Sequence, residues 1–338
     1  MTPENPATAE TPAPPEKSVT STAHRGPVIV LTGPTGTGKT EWAIRLAGQL
    51  PIEIVSVDSA LVYRGLDIGT AKPSRELREH TPHHLIDICD AAESYSAGRF
   101  VQDAVRLVDE IQSRGNIPLL VGGTMLYLRA LWRGIAPLPT ASAELRKSLD
   151  DRAASVGWPA LHAELAKLDP GAAARIHPND PQRIQRALEV CYTAGRPISE
   201  LQRETRSPLA DTPLQNYALV SANRVTLHER LEQRFHEMMK LGFLDEVAAL
   251  RARGDLTTDH PAIRAVGYRQ LWAYFDGEFS LDEAVRRGIF ATRQLAKRQL
   301  TWLRSELELI RINPHDGGAF ERWSAQVLAA IAADRDKC

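Results

Sequence analysis

The stretch Val28–Ala47, VIVLTGPTGTGKTEWAIRLA, decides the fold. A short apolar run, PVIVLT (27–32), ends in glycines, a lysine and a threonine, and an amphipathic helix follows to about Leu50. Gly33, Pro34, Thr35, Gly36, Thr37, Gly38, Lys39 and Thr40 match G-x-x-x-x-G-K-[ST] in full. A strand before and a helix after are the context that this phosphate-loop motif requires. Glycines let backbone N–H groups turn inward on an anion, and the helix N-terminus adds positive dipole. Lys39 brings a point charge to terminal phosphates, and the Thr40 hydroxyl is suited to ligate Mg²⁺. ATP or another nucleoside triphosphate is the usual occupant of such a nucleotide-binding loop. The motif names a phosphate, not a reaction.

Working outward, the pattern alternates. IEIVSVDS (52–59) is rich in β-branched residues and ends at an acid, as a buried parallel strand would. HHLIDICD (83–90) reads as another strand, 97–113 as a helix and IPLLVGG (117–123) as a third strand. Strands alternating with helices predict an α/β fold, a doubly wound parallel sheet with sites at the strand carboxyl ends. From PLPT (137–140) the character changes, and residues 141–206 hold helical pieces and no convincing strand. YALVSA (217–222) returns to the sheet. Helices follow over 225–253, 262–275 and 281–304, then a late strand LELIRI (307–312) and a closing helix at 318–334. The expected organisation is a tail at 1–25, a phosphate-loop core built from 26–140 and 214–338, and an all-α insertion at 141–213.

Bulk properties narrow the function. Of 338 residues, 43% are hydrophobic and 25% charged, ordinary for a soluble globular protein. Net charge is −1, so a nucleic-acid surface must be a local patch. Cys89, Cys191 and Cys338 lie far apart without a CxxC pair, which argues against a zinc site or a disulfide scaffold and for reduced thiols in the cytoplasm. No apolar run reaches the roughly 18 residues that a membrane span needs. The Pro-, Thr-, Ala- and Glu-rich start lacks the order of a secretion signal and reads as disordered.

Asp58, after the second strand, belongs at the carboxyl edge of the sheet beside the phosphate loop. From position alone it is equally a general base, a helix cap or a water-mediated Mg²⁺ partner. The longer words settle more. GPTGTGKT, SVDSALVYRGLDIGTAKP, LLVGGTMLYLRAL, HPNDPQRIQRALEV, AVGYRQL and TRQLAKRQLTWLR occur in this order. From about Pro27 to Pro314 the chain strongly resembles the tRNA dimethylallyltransferases, also called tRNA isopentenyltransferases, of the bacterial type.

That resemblance implies that the loop cradles dimethylallyl diphosphate, not ATP. It implies that the acceptor is N6 of the adenosine just 3′ of the anticodon, in tRNAs reading codons that begin with U. The base is carried over to Asp58. Thr124, after Gly122-Gly123, matches a residue near the reacting centre, although a plain helix N-cap suits it almost as well. Arg234, in RLEQRFHEMM, resembles an arginine near the diphosphate. Ser59, Ala60 and Leu61, with Asp58 and Thr124, match positions that meet the tRNA, and Arg146 resembles another. The segment Gln182, Arg183, Ile184, Gln185 and Arg186 corresponds to one touching the anticodon stem-loop. From the residues themselves, Pro181 suits a first helical turn capped by Asp180 or Asn179, which sets cations where a helix dipole favours anions.

Two further cationic features stand out. The tract AVRRGIFATRQLAKRQLTWLR (284–304) holds six Arg or Lys residues and no acid. At 100° per residue Arg286, Arg293, Lys297 and Arg304 form one stripe, beside an apolar face of Ile289, Leu300 and Leu303; Arg298 belongs to the same tract. Such a helix, packed on one side and basic on its flank, suits RNA phosphates. IRAVGYRQL (263–271) offers Arg264, Tyr268 and Arg269, an aromatic among cations suited to stacking on bases. His83, His84 and His177 have structural roles rather than metal-ligating ones on this reading. Longer eukaryotic relatives carry a C-terminal zinc finger, and no Cys or His array stands here, so recognition rests on the core and the insertion. A monomer without an obligate protein partner is expected.

Two other readings compete. A phosphate-loop kinase of a small metabolite shares the fold and motif but has no need of the basic tract. An ATP-switched RNA-binding protein needs an acid closing the third strand, where this chain has glycine. No N-K-x-D is present, which counts against a GTPase.

Overall fold

The computed structural model describes residues 26–136, 138, 139, 141–306 and 308–335. The tail at 1–25, parts of the 137–140 boundary and of the 307–312 strand, and Cys338 lie outside them. In chain order the elements are β1 (Val28–Thr32), α1 (Lys39–Ala47), β2 (Ile52–Val57), α2 (Arg75–His80), β3 (His83–His84), α3 (Ala97–Ser113), β4 (Ile117–Gly122) and α4 (Met125–Arg133). The helices α5 (Ala143–Val156), α6 (Trp158–Leu168), α7 (Pro170–Ala173), α8 (Pro181–Ala194) and α9 (Ile198–Leu201) follow without a strand between them. The chain then continues through β5 (Leu214–Leu219), α10 (Arg224–Lys240), α11 (Phe243–Ala252), α12 (Tyr268–Phe275), α13 (Leu281–Ser305), β6 (Ile310–Ile312) and α14 (Ala319–Arg335).

The six strands form one sheet in the order β3-β2-β4-β1-β5-β6, and every pairing is parallel. It is the doubly wound α/β architecture. β1 is central, flanked by β4 and β5, and all its residues are buried. The connections leave in opposite directions around β1, so its carboxyl end is the crevice where such sheets bind ligands.

Strand parity assigns the two faces. Ile29 and Leu31 point with Trp42 and Leu46 of α1 toward Phe320, Trp323 and Val327 of α14. Val28 and Val30 point to the larger core, with Phe100, Leu128, Phe235 and Tyr268. Leu149, Leu161, Leu165, Ile184 and Leu188, from α5, α6 and α8, close a separate cluster.

Several elements depart from the sequence expectation for visible reasons. The run 83–90 is a strand only at His83–His84, because Leu85 and Asp87 take positive φ of 62° and 59°. The bend lets the Asp87 carboxylate collect Lys72 at 2.5 Å and Arg78 at 2.7 Å. Cys89 then rejoins through an isolated bridge to Tyr63. The helix expected over 225–253 is broken at Gly242, whose φ is 99°. The helix expected from 262 begins only at Tyr268, which leaves 261–266 as turns over the site. His84 Nε2 sits 2.7 Å from Glu53, which also accepts from Arg114 and Asn116. Those donors hold the Glu53 carboxyl down at about 2. Among the described residues no cluster of His, Cys, Asp and Glu could cage a metal. No described helix is long and apolar enough to cross a membrane. The thiols of Cys89 and Cys191 are free.

The α14 face offers a check on the packing. Trp323 is 1% exposed, between Trp42 (5.3 Å between ring centroids), Phe320 (5.8 Å) and Tyr217 (5.9 Å). Its Nε1 has no hydrogen-bond partner among the described residues, so truncation costs packing alone. Trp323→Ala is expected to lower stability by about 3–5 kcal/mol, read as a lower urea midpoint with an unchanged slope.

Candidate active site

The carboxyl ends of β1, β2 and β4 open on a cavity of about 780 Å³, which α10, α13 and the 261–266 turns complete. Its floor is the phosphate loop. Gly36 has φ of 83°, and a Cβ there would sit 2.8 Å from Leu231 Cδ2 of α10, so only glycine lets the loop turn this tightly against the helix. Thr37 Oγ1 donates to Pro34 O at 2.9 Å, which fixes the loop from inside. Lys39 Nζ donates to the carbonyls of Gly33 and Pro34, both at 2.8 Å.

Burial pushes the Lys39 amine down to about 8; Asp58 opposes that shift and Arg234 adds to it. Arg234, on α10, is likewise pushed down by burial and up by Asp58. Two poorly solvated cations thus face one carboxylate. Among the described residues Arg234 has no hydrogen bond or ion pair, unusual for a buried guanidinium and suited to an anionic ligand.

Asp58 follows β2. Its Oδ1 accepts the N–H groups of Ala60 (2.8 Å) and Leu61 (3.3 Å), which orients the carboxylate and leaves Oδ2 without a protein donor among the described residues. It caps a turn, not a helix. Thr124 stands at the N-cap position of α4 but makes no side-chain cap bond. Its Oγ1 accepts Ser59 N at 3.0 Å and donates to Ser59 Oγ at 3.3 Å, so the hydroxyl belongs to the Asp58 turn. Thr40, Asp58, Ser59, Ala60, Leu61 and Thr124 all line the cavity. The exposed Thr40 side chain is a neutral oxygen ligand beside a carboxylate and an anion cradle. This donor set fits Mg²⁺, which takes one or two protein oxygens and completes its shell with phosphate and water.

The other expected residues fall in two regions. On α13, Arg298 lines the cavity, whereas Lys297 and Arg304 are exposed on its outer side. Arg293 pairs with Glu232 at 2.6 Å. Arg264 lines the cavity and bonds Asp259 at 3.2 Å, and Arg269 is exposed. On α8, Asp180 caps through Arg183 N at 3.2 Å, with Pro181 first in the helix. Gln182, Arg183 and Arg146 are exposed; Gln185 and Arg186 are half-buried. Arg146 and Arg186 both reach Glu189, which is 3% exposed.

Two expectations are corrected. Tyr268 is fully buried: its ring packs edge-on against Phe243 at 4.9 Å and its hydroxyl donates to Glu246 at 2.5 Å, so it is not free to stack on a base. Burial and the Glu246 carboxylate push its phenol pKa up. Ile184 is fully buried in the helical cluster and presents no surface to a ligand. The sequence reading also missed Glu246, Glu189 and Gln299. Glu246 accepts the N–H groups of Asp67 (2.9 Å), Ile68 (2.7 Å) and Gly69 (3.1 Å), and so holds a wall of the cavity. Glu189 and Gln299 stand inside the quoted words HPNDPQRIQRALEV and TRQLAKRQLTWLR, but nothing local to them or to Glu246 shows which distant groups they hold.

A family model described as IPP transferase matches residues 61–306. A tRNA dimethylallyltransferase of Methylococcus capsulatus is 54% identical over 312 residues, which is 92% of this chain and 100% of that one. Another from Nitrosococcus oceani is 54% identical over 310 residues, 91% and 99% of the two chains. Among solved structures, the full-length tRNA isopentenylpyrophosphate transferase of Bacillus halodurans gives a TM-score of 0.68 at 35% identity, over 92% and 98% of the chains. A eukaryotic dimethylallyltransferase solved while acting on tRNA gives 0.77 at 28%, over 92% and 80%.

The Lys39 environment predicts a titration. With a pKa near 8, its ammonium is charged below that pH and lost above it, so inorganic pyrophosphate should bind the free protein more weakly as pH rises through about 8. A charge-assisted contact of about 1.5–3 kcal/mol makes the full loss roughly 10–100-fold. Calorimetry should show this step in the native protein and not in Lys39→Met.

Proposed function

The chain belongs to the IPP transferase family, and from that membership we propose that it transfers a dimethylallyl group from dimethylallyl diphosphate to tRNA. The acceptor is N6 of the adenosine 3′-adjacent to the anticodon, in tRNAs reading codons that begin with U. The products are N6-isopentenyladenosine and diphosphate. One observation carries the reading: a single cavity joins two poorly solvated cations at the phosphate loop to an oriented carboxylate with a free oxygen.

The chemistry needs both halves. An adenine amine is a poor nucleophile, because its lone pair is delocalised into the ring. As N6 attacks C1 of the donor, the C1–O bond to diphosphate breaks and the N6 proton passes to Asp58. Base assistance of this kind is worth roughly 10²–10⁴ in rate. Negative charge grows on the departing diphosphate, where Lys39, Arg234 and the N–H groups of the loop lie ready to receive it; such stabilisation is often the larger effect. Mg²⁺, held by the Thr40 hydroxyl and by phosphate oxygens, would neutralise further leaving-group charge. The Thr124 hydroxyl holds the Asp58 turn in register.

The adenosine must leave its stack to reach the cavity, and once seated there it would keep water from an allylic, cation-like transition state. The exposed cations of α13 and α8 would hold the anticodon stem-loop through its phosphates. The proposed setting is the cytoplasm, as a monomer without an obligate protein partner. A small-metabolite kinase is disfavoured because it has no need of the cationic helix α13, and an ATP-switched RNA-binding protein because β4 ends in Gly122, followed by Gly123, where that chemistry needs an acid.

The deciding assay incubates the protein with labelled dimethylallyl diphosphate, Mg²⁺ and unmodified tRNA, and separately with ATP. Label transfer to tRNA without ATP hydrolysis is expected; ATP hydrolysis without label transfer would sink the proposal. Asp58→Asn should lower kcat about 10²–10⁴-fold while tRNA affinity is retained in a filter-binding titration. Lys297→Ala should weaken tRNA binding and reduce the salt slope of log K by about 1.

A further inference from the structure

Gln299 lies on the inner face of α13, 8% exposed, between Ala296 and Leu303. Its neighbours on that face are apolar, so a leucine would pack there without the cost of burying a primary amide. Both polar atoms of the amide are instead engaged. Oε1 accepts the N–H of Thr35 at 2.9 Å, and Nε2 donates to the carbonyl of Gly123 at 2.8 Å. Because one partner is a backbone donor and the other a backbone acceptor, the orientation of the amide is forced.

The two partners are informative. Thr35 is in the anion-binding loop after β1, and Gly123 follows β4, one residue before Thr124. A Cβ at Gly123 would lie 2.4 Å from Gln299 Nε2, so the glycine makes room for this contact. One side chain therefore pins the phosphate loop and the Thr124 turn to each other and to α13. The same helix presents Lys297 and Arg304 to solvent and Arg298 to the cavity.

We propose that Gln299 is a positioning residue that fixes the phosphate loop in its anion-accepting shape and couples that shape to RNA docking on α13. The inference rests on the proposed function for the identity of the two ligands. Both ligands bias one contact, so each raises the affinity of the other by the same factor. The hydrogen bonds to Thr35 and Gly123 are the physical link, and neither touches the reacting atoms.

The test uses the full chain, inorganic pyrophosphate with Mg²⁺ and an unmodified anticodon stem-loop RNA. In Gln299→Met, pyrophosphate should bind about tenfold more weakly. RNA should bind as in the native protein when pyrophosphate is absent, and the mutual enhancement should vanish. In steady state the donor KM should rise, and the RNA KM at saturating donor should rise by the factor of the lost enhancement. Gln299→Glu gives an independent readout. Its protonated acid offers one donor and one acceptor like the amide, so its pyrophosphate affinity relative to the native protein should recover as pH falls, while that of Gln299→Met should not. Native pyrophosphate affinity and coupling in Gln299→Met, with only a lower Tm, would overturn the proposal, and so would a Gln299→Glu variant without pH recovery. If the native protein transfers no prenyl group but Gln299→Met still loses pyrophosphate affinity, the proposed function fails and the positioning role stands.

Discussion

Two cations kept poorly solvated at the end of the central strand are the constraint on which the rest of the site depends. Lys39 and Arg234 are both pushed toward their neutral forms by burial, and Asp58 is the charge that opposes the push. Removing ions from water is costly unless opposite charge or hydrogen bonds offset it. The loop carbonyls of Gly33 and Pro34 supply part of that offset for Lys39. Arg234 has only the distant carboxylate among the described residues. The diphosphate of the proposed donor would satisfy both cations at once, and ligand affinity would then be stored in the unliganded protein as incomplete solvation.

The same constraint orders the surrounding elements. The Asp58 carboxylate is held in one orientation, because the N–H groups of Ala60 and Leu61 both bond its Oδ1. Thr124 ties the turn to β4, Gln299 ties β4 and the loop to α13, and Glu246 ties the 67–69 wall to α11 and α12. These links are polar and span long stretches of sequence. They cross a core whose other contacts are apolar and non-directional, so they fix orientation where packing alone would tolerate small shifts.

What was legible in the sequence follows from this division. The phosphate loop was readable because its function depends on residues adjacent in the chain. Asp58 was readable because a strand end locates it, and the basic flank of α13 because helical periodicity does. Glu246 and Gln299 were not, because their partners are far away in sequence, and Glu189 was not, because its burial between Arg146 and Arg186 depends on how α5 packs on α8. The opposite error has the same origin. Tyr268 and Ile184 sit among cations in sequence, yet their neighbours in space are Phe243 and Glu246 for the first and the α5–α8 cluster for the second. The 83–90 run misled because its apolar pattern is that of a strand, while the positive φ of Leu85 and Asp87 takes the backbone out of the sheet and brings Asp87 to Lys72 and Arg78.

The cationic surface divides by the same logic. With a net charge of −1, the chain cannot attract RNA as a whole. Many of its exposed arginines are already committed: Arg146 and Arg186 to Glu189, Arg264 to Asp259, Arg293 to Glu232. A phosphate arriving at those positions competes with a carboxylate in place, so the net gain in affinity is small and the contribution is one of orientation. Lys297, Arg298, Arg269 and Arg304 have no ion-pair partner among the described residues. On the proposed function, counterion release, and with it the salt dependence of binding, would come mainly from this second set. Paired and unpaired cations alternate along α13 and the turn before α12, where Arg264 and Arg293 are paired and Lys297, Arg298 and Arg304 are not, whereas the paired Arg146 and Arg186 lie on α5 and α8 of the separate helical cluster. Affinity would then be concentrated along α13, and Arg146 and Arg186, already engaged by Glu189 on α8, would supply alignment.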